Sequence, residues 1–111
     1  MEKDLNPKIA EVDTEWYKFQ FYEDGFSCQY DTLFKHHDIT IKFKDVEKIE
    51  HLAQSYNFRH FYTYSVYLKS GKPIVIRANS KEERAVLMES FDYINMLRAN
   101  FIMKSIHNNS Q

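Results

Sequence analysis

Residues 19–30 read FQFYEDGFSCQY, with an aromatic residue at every second place before Glu23-Asp24-Gly25 and with Phe26, Cys28 and Tyr30 alternating after it. Side chains two apart share one face of a strand, so the stretch predicts two strands whose apolar faces coincide. An Asp-Gly step between two alternating runs is a strong hairpin signal. The strand period starts at Trp16: Tyr17, Phe19 and Phe21 share one face, and Lys18 and Gln20 the other. The pairing also puts Cys28 on the apolar face.

The same period recurs downstream. After the polar corner KHHD at 35–38, ITIKF sets Ile39, Ile41 and Phe43 against Thr40 and Lys42. In KDVEKIEHL, Val46 and Ile49 are three apart, which fits a short helical turn or a bulged strand. AQSYNFR at 53–59 reads as a polar loop. Tyr62, Tyr64, Val66 and Leu68 then make one strand face, and Ser70-Gly71-Lys72 turns the chain toward Ile74 and Ile76, a second hairpin. In NSKEER, Ser80 and Glu83 have the spacing of a capping box and open a helix. Glu82 and Glu83 suit its positive end, and Arg98, Lys104 and His107 its negative end, so one helix is expected to about residue 105. Leu87, Phe91, Ile94, Leu97 and Phe101 recur at intervals of three and four along one stripe.

Composition bounds the rest. The chain has 111 residues, 43% hydrophobic and 16% aromatic, with two Gly and two Pro, which fits one folded domain rather than a disordered chain. Fifteen Lys and Arg against sixteen Asp and Glu leave a net charge of -1, without the broad basic field that draws in duplex nucleic acid. Arg59, Lys69 and Arg77 are too sparse for a single-strand groove. No apolar run reaches the roughly 18 residues of a membrane span, and MEKDLNPKIAEVDTE lacks the apolar centre of a signal peptide, so a cytoplasmic protein without a transmembrane segment is expected. The single Cys28 agrees with that setting. Residues 1–13, interrupted by Pro7, are expected to form a flexible arm, residues 14–106 one domain, and 107–111 a disordered tail.

Strands first and a long helix last resemble the pleckstrin-homology-like fold in its small bacterial form. "YEDGF", "ITIKFKDVEKIE" and "YSVYLKSGKPIVI" carry the likeness over about residues 15 to 105. The resemblance implies an α+β, mainly β protein: a partly open barrel of two antiparallel sheets, about six or seven strands, capped by one long C-terminal helix. It also implies a binding module rather than an enzyme. Lipid-binding members of that fold cluster Lys and Arg at the first strand, first loop and second strand, because headgroup phosphates need cations and donors. FQFYEDGFSCQY offers Glu23 and Asp24 there, so a phosphoinositide at the usual first-loop position is not expected.

No catalytic, cofactor or metal site emerges from the residues. His36 and His37 are adjacent, so on a strand they would point to opposite faces and could share a metal only in a turn; no HExxH or cysteine ligand set accompanies them, and solvated corner residues are the expectation. Cys28 lacks an adjacent base and suits a small core residue. Glu23-Asp24 lies in an exposed turn without the burial that tunes an acid–base pair. Two glycines cannot make a phosphate-cradling loop.

Two surfaces remain. On a helical projection Met88, Met96, Ala99, Met103 and Ile106 form a second apolar stripe, interrupted by Asp92 and opposite the first. Either the arm covers it through Leu5, Ile9 and Val12, or a protein partner does, including a second copy of the chain. Trp16, Phe61 and Tyr67 face away from the predicted core and join this candidate partner interface. Lys35, His36, His37, Lys42 and Lys44 form a candidate anion patch, the basis of a rival reading as a peripheral binder of anionic lipid. A small ligand-binding barrel is the other rival.

Overall fold

A computed structural model describes the backbone of residues 7–56 and 59–109 and the side chains of residues 7–53 and 62–107. Among the described residues seven strands form two antiparallel sheets, ordered β1-β2-β3-β4 and β5-β6-β7, and one long helix follows them, giving a mainly β, α+β protein. The chain divides into two compact units. One holds the first 44 residues with the helix from Asp92 onward, and the other holds Asp45–Phe91.

In the first unit, β2 (Tyr17–Tyr22) and β3 (Gly25–Asp31) pair as Phe19↔Cys28 and Phe21↔Phe26, the hairpin predicted from the alternation. Gly25 is the first residue of β3, opposite Tyr22, so the connection is Glu23-Asp24 alone. Tyr17, Phe19, Phe21, Phe26 and Cys28 are all buried. Each buried aromatic ring contributes roughly 1.5–3 kcal/mol relative to exposure. β4 (His36–Lys42) pairs along the other side of β3, placing Ile41 beside Phe26.

Ala10–Asp13, expected in the flexible arm, forms β1 and pairs with β2, Val12 opposite Phe19. Four residues of alternating Ala-Glu-Val-Asp carry too little periodicity to be read alone, but the free edge of β2 supplies a template of unpaired N–H and C=O groups. The first turn of the sheet is therefore Thr14–Trp16, where the Thr14 hydroxyl accepts hydrogen bonds from the N–H groups of Trp16 (3.3 Å) and Tyr17 (3.0 Å).

The region left open between a helical turn and a bulged strand contains both. Phe43–Asp45 is one 3₁₀ turn, and β5 (Val46–Tyr56) bulges between Val46 and Lys48. In the second unit, the loop expected over 53–59 is mostly strand: β5 runs to Tyr56 and β6 (Arg59–Leu68) starts three residues later. Polar composition misleads there, because backbone ladder bonds extend a paired ribbon without requiring alternation. β7 (Ile74–Ala78) completes the sheet after a turn in which Gly71 has φ of 90°. Tyr64, Val66, Ile76 and Ala78 are buried with Leu87 and Phe91, and the Tyr64 and Phe91 rings stack at 4.3 Å.

Helix α1 spans Lys81–Asn109, past the expected end near 105 and into the expected tail. His107 in its last turn complements the carbonyl end of the helix. At the start, the Glu83 N–H donates to Ser80 Oγ at 3.1 Å, half of the predicted capping box. The Glu83 carboxylate accepts from the Asn79 N–H at 2.8 Å, one residue earlier than the standard partner. Leu87, Phe91, Ile94 and Leu97 are buried, as their spacing predicts.

Candidate functional site

The first-unit half of α1 packs one stripe inward: Tyr93 meets Phe21 edge-on at 4.8 Å and Phe101 approaches Phe43 at 5.9 Å. The opposite stripe is bare. Met96 is 49% exposed, Met103 67% and Ile106 64%, with Ala99 and Ile102 also exposed between them. A 3.6-residue period puts positions 96, 99, 103 and 106 in one row, so these side chains form a continuous apolar band. Ile102 extends that band and was not singled out by the sequence reading, which followed the methionines. Met88, exposed on the same helix, belongs to the second unit.

The described part of the arm leaves that band exposed. Val12 is held in β1, and Ile9 lines a cavity of about 330 Å³ with Glu23, Asp24, Leu97, Phe101 and Lys104, on the side of the inward stripe. Leu5 lies outside the described residues. Lys104 Nζ donates to Glu23 Oε1 at 2.9 Å across this cavity.

Of the three aromatics expected beside the methionines, two have described side chains, one in each unit. Trp16 is half-buried and lines a shallow hollow with Lys18, Tyr30, Asp31 and His36, to which no α1 residue contributes. Tyr67, in the second unit, is half-buried under Lys48, whose Nζ sits 4.8 Å from the ring centroid. The side chain of Phe61 lies outside the described residues.

The candidate anion patch separates into two. Lys35, His36 and His37 stand at one end of β4, and Lys42 and Lys44 at or beyond its other end, six residues on. At about 3.3 Å per residue that is roughly 20 Å, too far for one headgroup. The two imidazoles point to opposite faces, as the strand period requires. His36 Nδ1 lies 2.6 Å from Asp31 Oδ1, while His37 stacks on Tyr30 at 4.6 Å. Among the described residues no three of His, Cys, Asp and Glu converge as metal ligands. Cys28 is fully buried, and loss of solvation, then the nearby Asp38 charge, push its thiol up to about 12, far from a reactive thiolate at neutral pH.

One feature escaped the sequence reading. Between β3 and β4 the connection is Thr32-Leu33-Phe34-Lys35, and the two central side chains are 88% and 93% exposed. The turn is closed by the Thr32 N–H to the Lys35 carbonyl at 2.8 Å and the Thr32 hydroxyl to the same carbonyl at 3.2 Å. Only the register, with β3 ending at Asp31 and β4 starting at His36, shows these two apolar residues standing alone in the turn.

No family model matches the chain, no curated protein matches it, and no solved structure matches it. Among the described residues no helix is long and apolar enough to cross a membrane.

Proposed function

We propose that the protein is a non-enzymatic interaction module of pleckstrin-homology-like architecture that binds another protein, or a second copy of itself, through the outer face of α1. The observation that carries this reading is the band of Met96, Ala99, Ile102, Met103 and Ile106, exposed on a helix whose opposite face is already packed. Apolar side chains in one row on a folded chain are a cost in water unless a partner covers them, and Met adapts its shape to different partners. The order of four strands, three strands and a closing helix supports the architectural part. A partner role also fits the inert surroundings of Cys28 and the separation of His36 from His37.

Light scattering coupled to size exclusion, with a pull-down from native extract, tests the reading. The wild type is expected to form a dimer or a heterocomplex, and Met96→Glu with Met103→Glu to give a folded monomer that has lost it. A wild type that is monomeric and captures nothing through this face would refute it.

A further inference from the structure

We propose that the Leu33-Phe34 hairpin tip is a bilayer anchor, entering the interfacial layer of a lipid membrane with Lys35 against headgroup phosphates. This is independent of the α1 reading, because the tip lies at a β-turn with its own hydrogen bonds. Those bonds between Thr32 and Lys35 matter: they hold Leu33 and Phe34 outward in a closed two-residue turn, so their exposure is built into the hairpin.

The surroundings favour a bilayer over a protein surface. The tip is convex and two residues wide, flanked by exposed Thr32, Lys35 and His36, with no apolar rim. A stable protein interface needs on the order of 1,000 Å² with shape complementarity, more than such a tip offers by itself. A bilayer needs no complementary shape, only an apolar body that reaches below the headgroups and polar or aromatic flanks that stay at their level. Trp16 supplies such a flank, since the hollow it lines with Tyr30, Asp31 and His36 puts the Thr14–Trp16 turn at the same end of the sheet. One cation also stands at the tip. Asp31 is engaged by His36 at 2.6 Å, while Lys35 has no carboxylate partner among the described residues, leaving its ammonium for an anionic headgroup.

Flotation with vesicles of phosphatidylcholine, alone and mixed with phosphatidylserine, tests this. The wild type is expected to float with the mixed vesicles, and Leu33→Ser with Phe34→Ser to lose binding by about tenfold or more, since two buried side chains supply most of so small an anchor. Lys35→Glu should weaken flotation on the mixed vesicles only. To separate insertion from a folding defect, Phe34→Trp in a Trp16→Phe background should shift its emission to the blue on adding vesicles. A wild type that floats with neither vesicle overturns the proposal. So does a tip variant that floats as well as wild type, or flotation lost instead through Met96→Glu with Met103→Glu.

Discussion

The two turns that flank β3 differ in what holds them, and not in the way their polarity suggests. Glu23-Asp24 is a charged turn, yet it is tied down: the Asp24 carbonyl accepts from the Phe43 N–H at 2.8 Å and the Glu23 carboxylate from Lys104 at 2.9 Å. Leu33-Phe34, at the other end of the same seven-residue strand, is apolar and bare. Polarity did not decide which turn was docked. Position did, since α1 and the 3₁₀ turn after β4 pack against the Glu23 end, leaving the Phe34 end with its own backbone bonds alone.

The sharpest way to break this contrast is to truncate one phenylalanine at each end of the strand region. Phe26, two residues past the charged turn, is fully buried between the Phe19 and Phe43 rings. Phe26→Ala is expected to lower the unfolding free energy by about 3–5 kcal/mol, the usual cost of an emptied aromatic site. Phe34→Ala should stay within about 0.5 kcal/mol of wild type, as an exposed substitution does. Urea unfolding of both variants measures the difference. Equal losses would mean that the tip is packed and the contrast false.

How much of this was legible in the sequence follows from what each signal encodes. The alternating apolar residues Tyr17, Phe19, Phe21, Phe26 and Cys28 and the three-four spacing of Leu87, Phe91, Ile94 and Leu97 mark buried faces, so the hairpin and the inward stripe were readable, although Ser27 on the other face of β3 is buried as well. Ala10–Asp13 and the far halves of β5 and β6 form by pairing with a neighbour's backbone, which leaves little trace in side-chain pattern. The bare band of Met96 and Met103 was readable because a helix repeats on a known angle. The exposure of Leu33 and Phe34 was not, because an apolar pair beside a turn has the same sequence whether the register tucks it under or leaves it outside.

A third turn isolates conformation from both charge and burial. Gly71 holds φ of 90°, and a Cβ added there would meet nothing within 4 Å. Any cost of Gly71→Ala is therefore backbone strain, roughly 1–2 kcal/mol for an L-residue held in the left-handed region. Gly71→Asn should recover part of it, since Asn tolerates that region. Thermal unfolding of the pair would check both, and no loss in Gly71→Ala would show that the turn relaxes to another conformation.

The smallest effect is expected where the charged turn is most conspicuous. Both Glu23 and Lys104 are more than half exposed, so water screens their attraction and each side chain gives up rotamer freedom to meet the other. Glu23→Gln, which keeps the shape and removes the charge, should therefore cost less than about 1 kcal/mol and lose even that at high salt. The turn would stay in place, because the bond from the Phe43 N–H to the Asp24 carbonyl does not involve the Glu23 side chain. A larger, salt-sensitive loss in denaturant titrations would reverse the account of why this turn is docked: the ion pair with α1, rather than the backbone of the 3₁₀ turn, would then be what holds the Glu23 end down and distinguishes it from the Phe34 end.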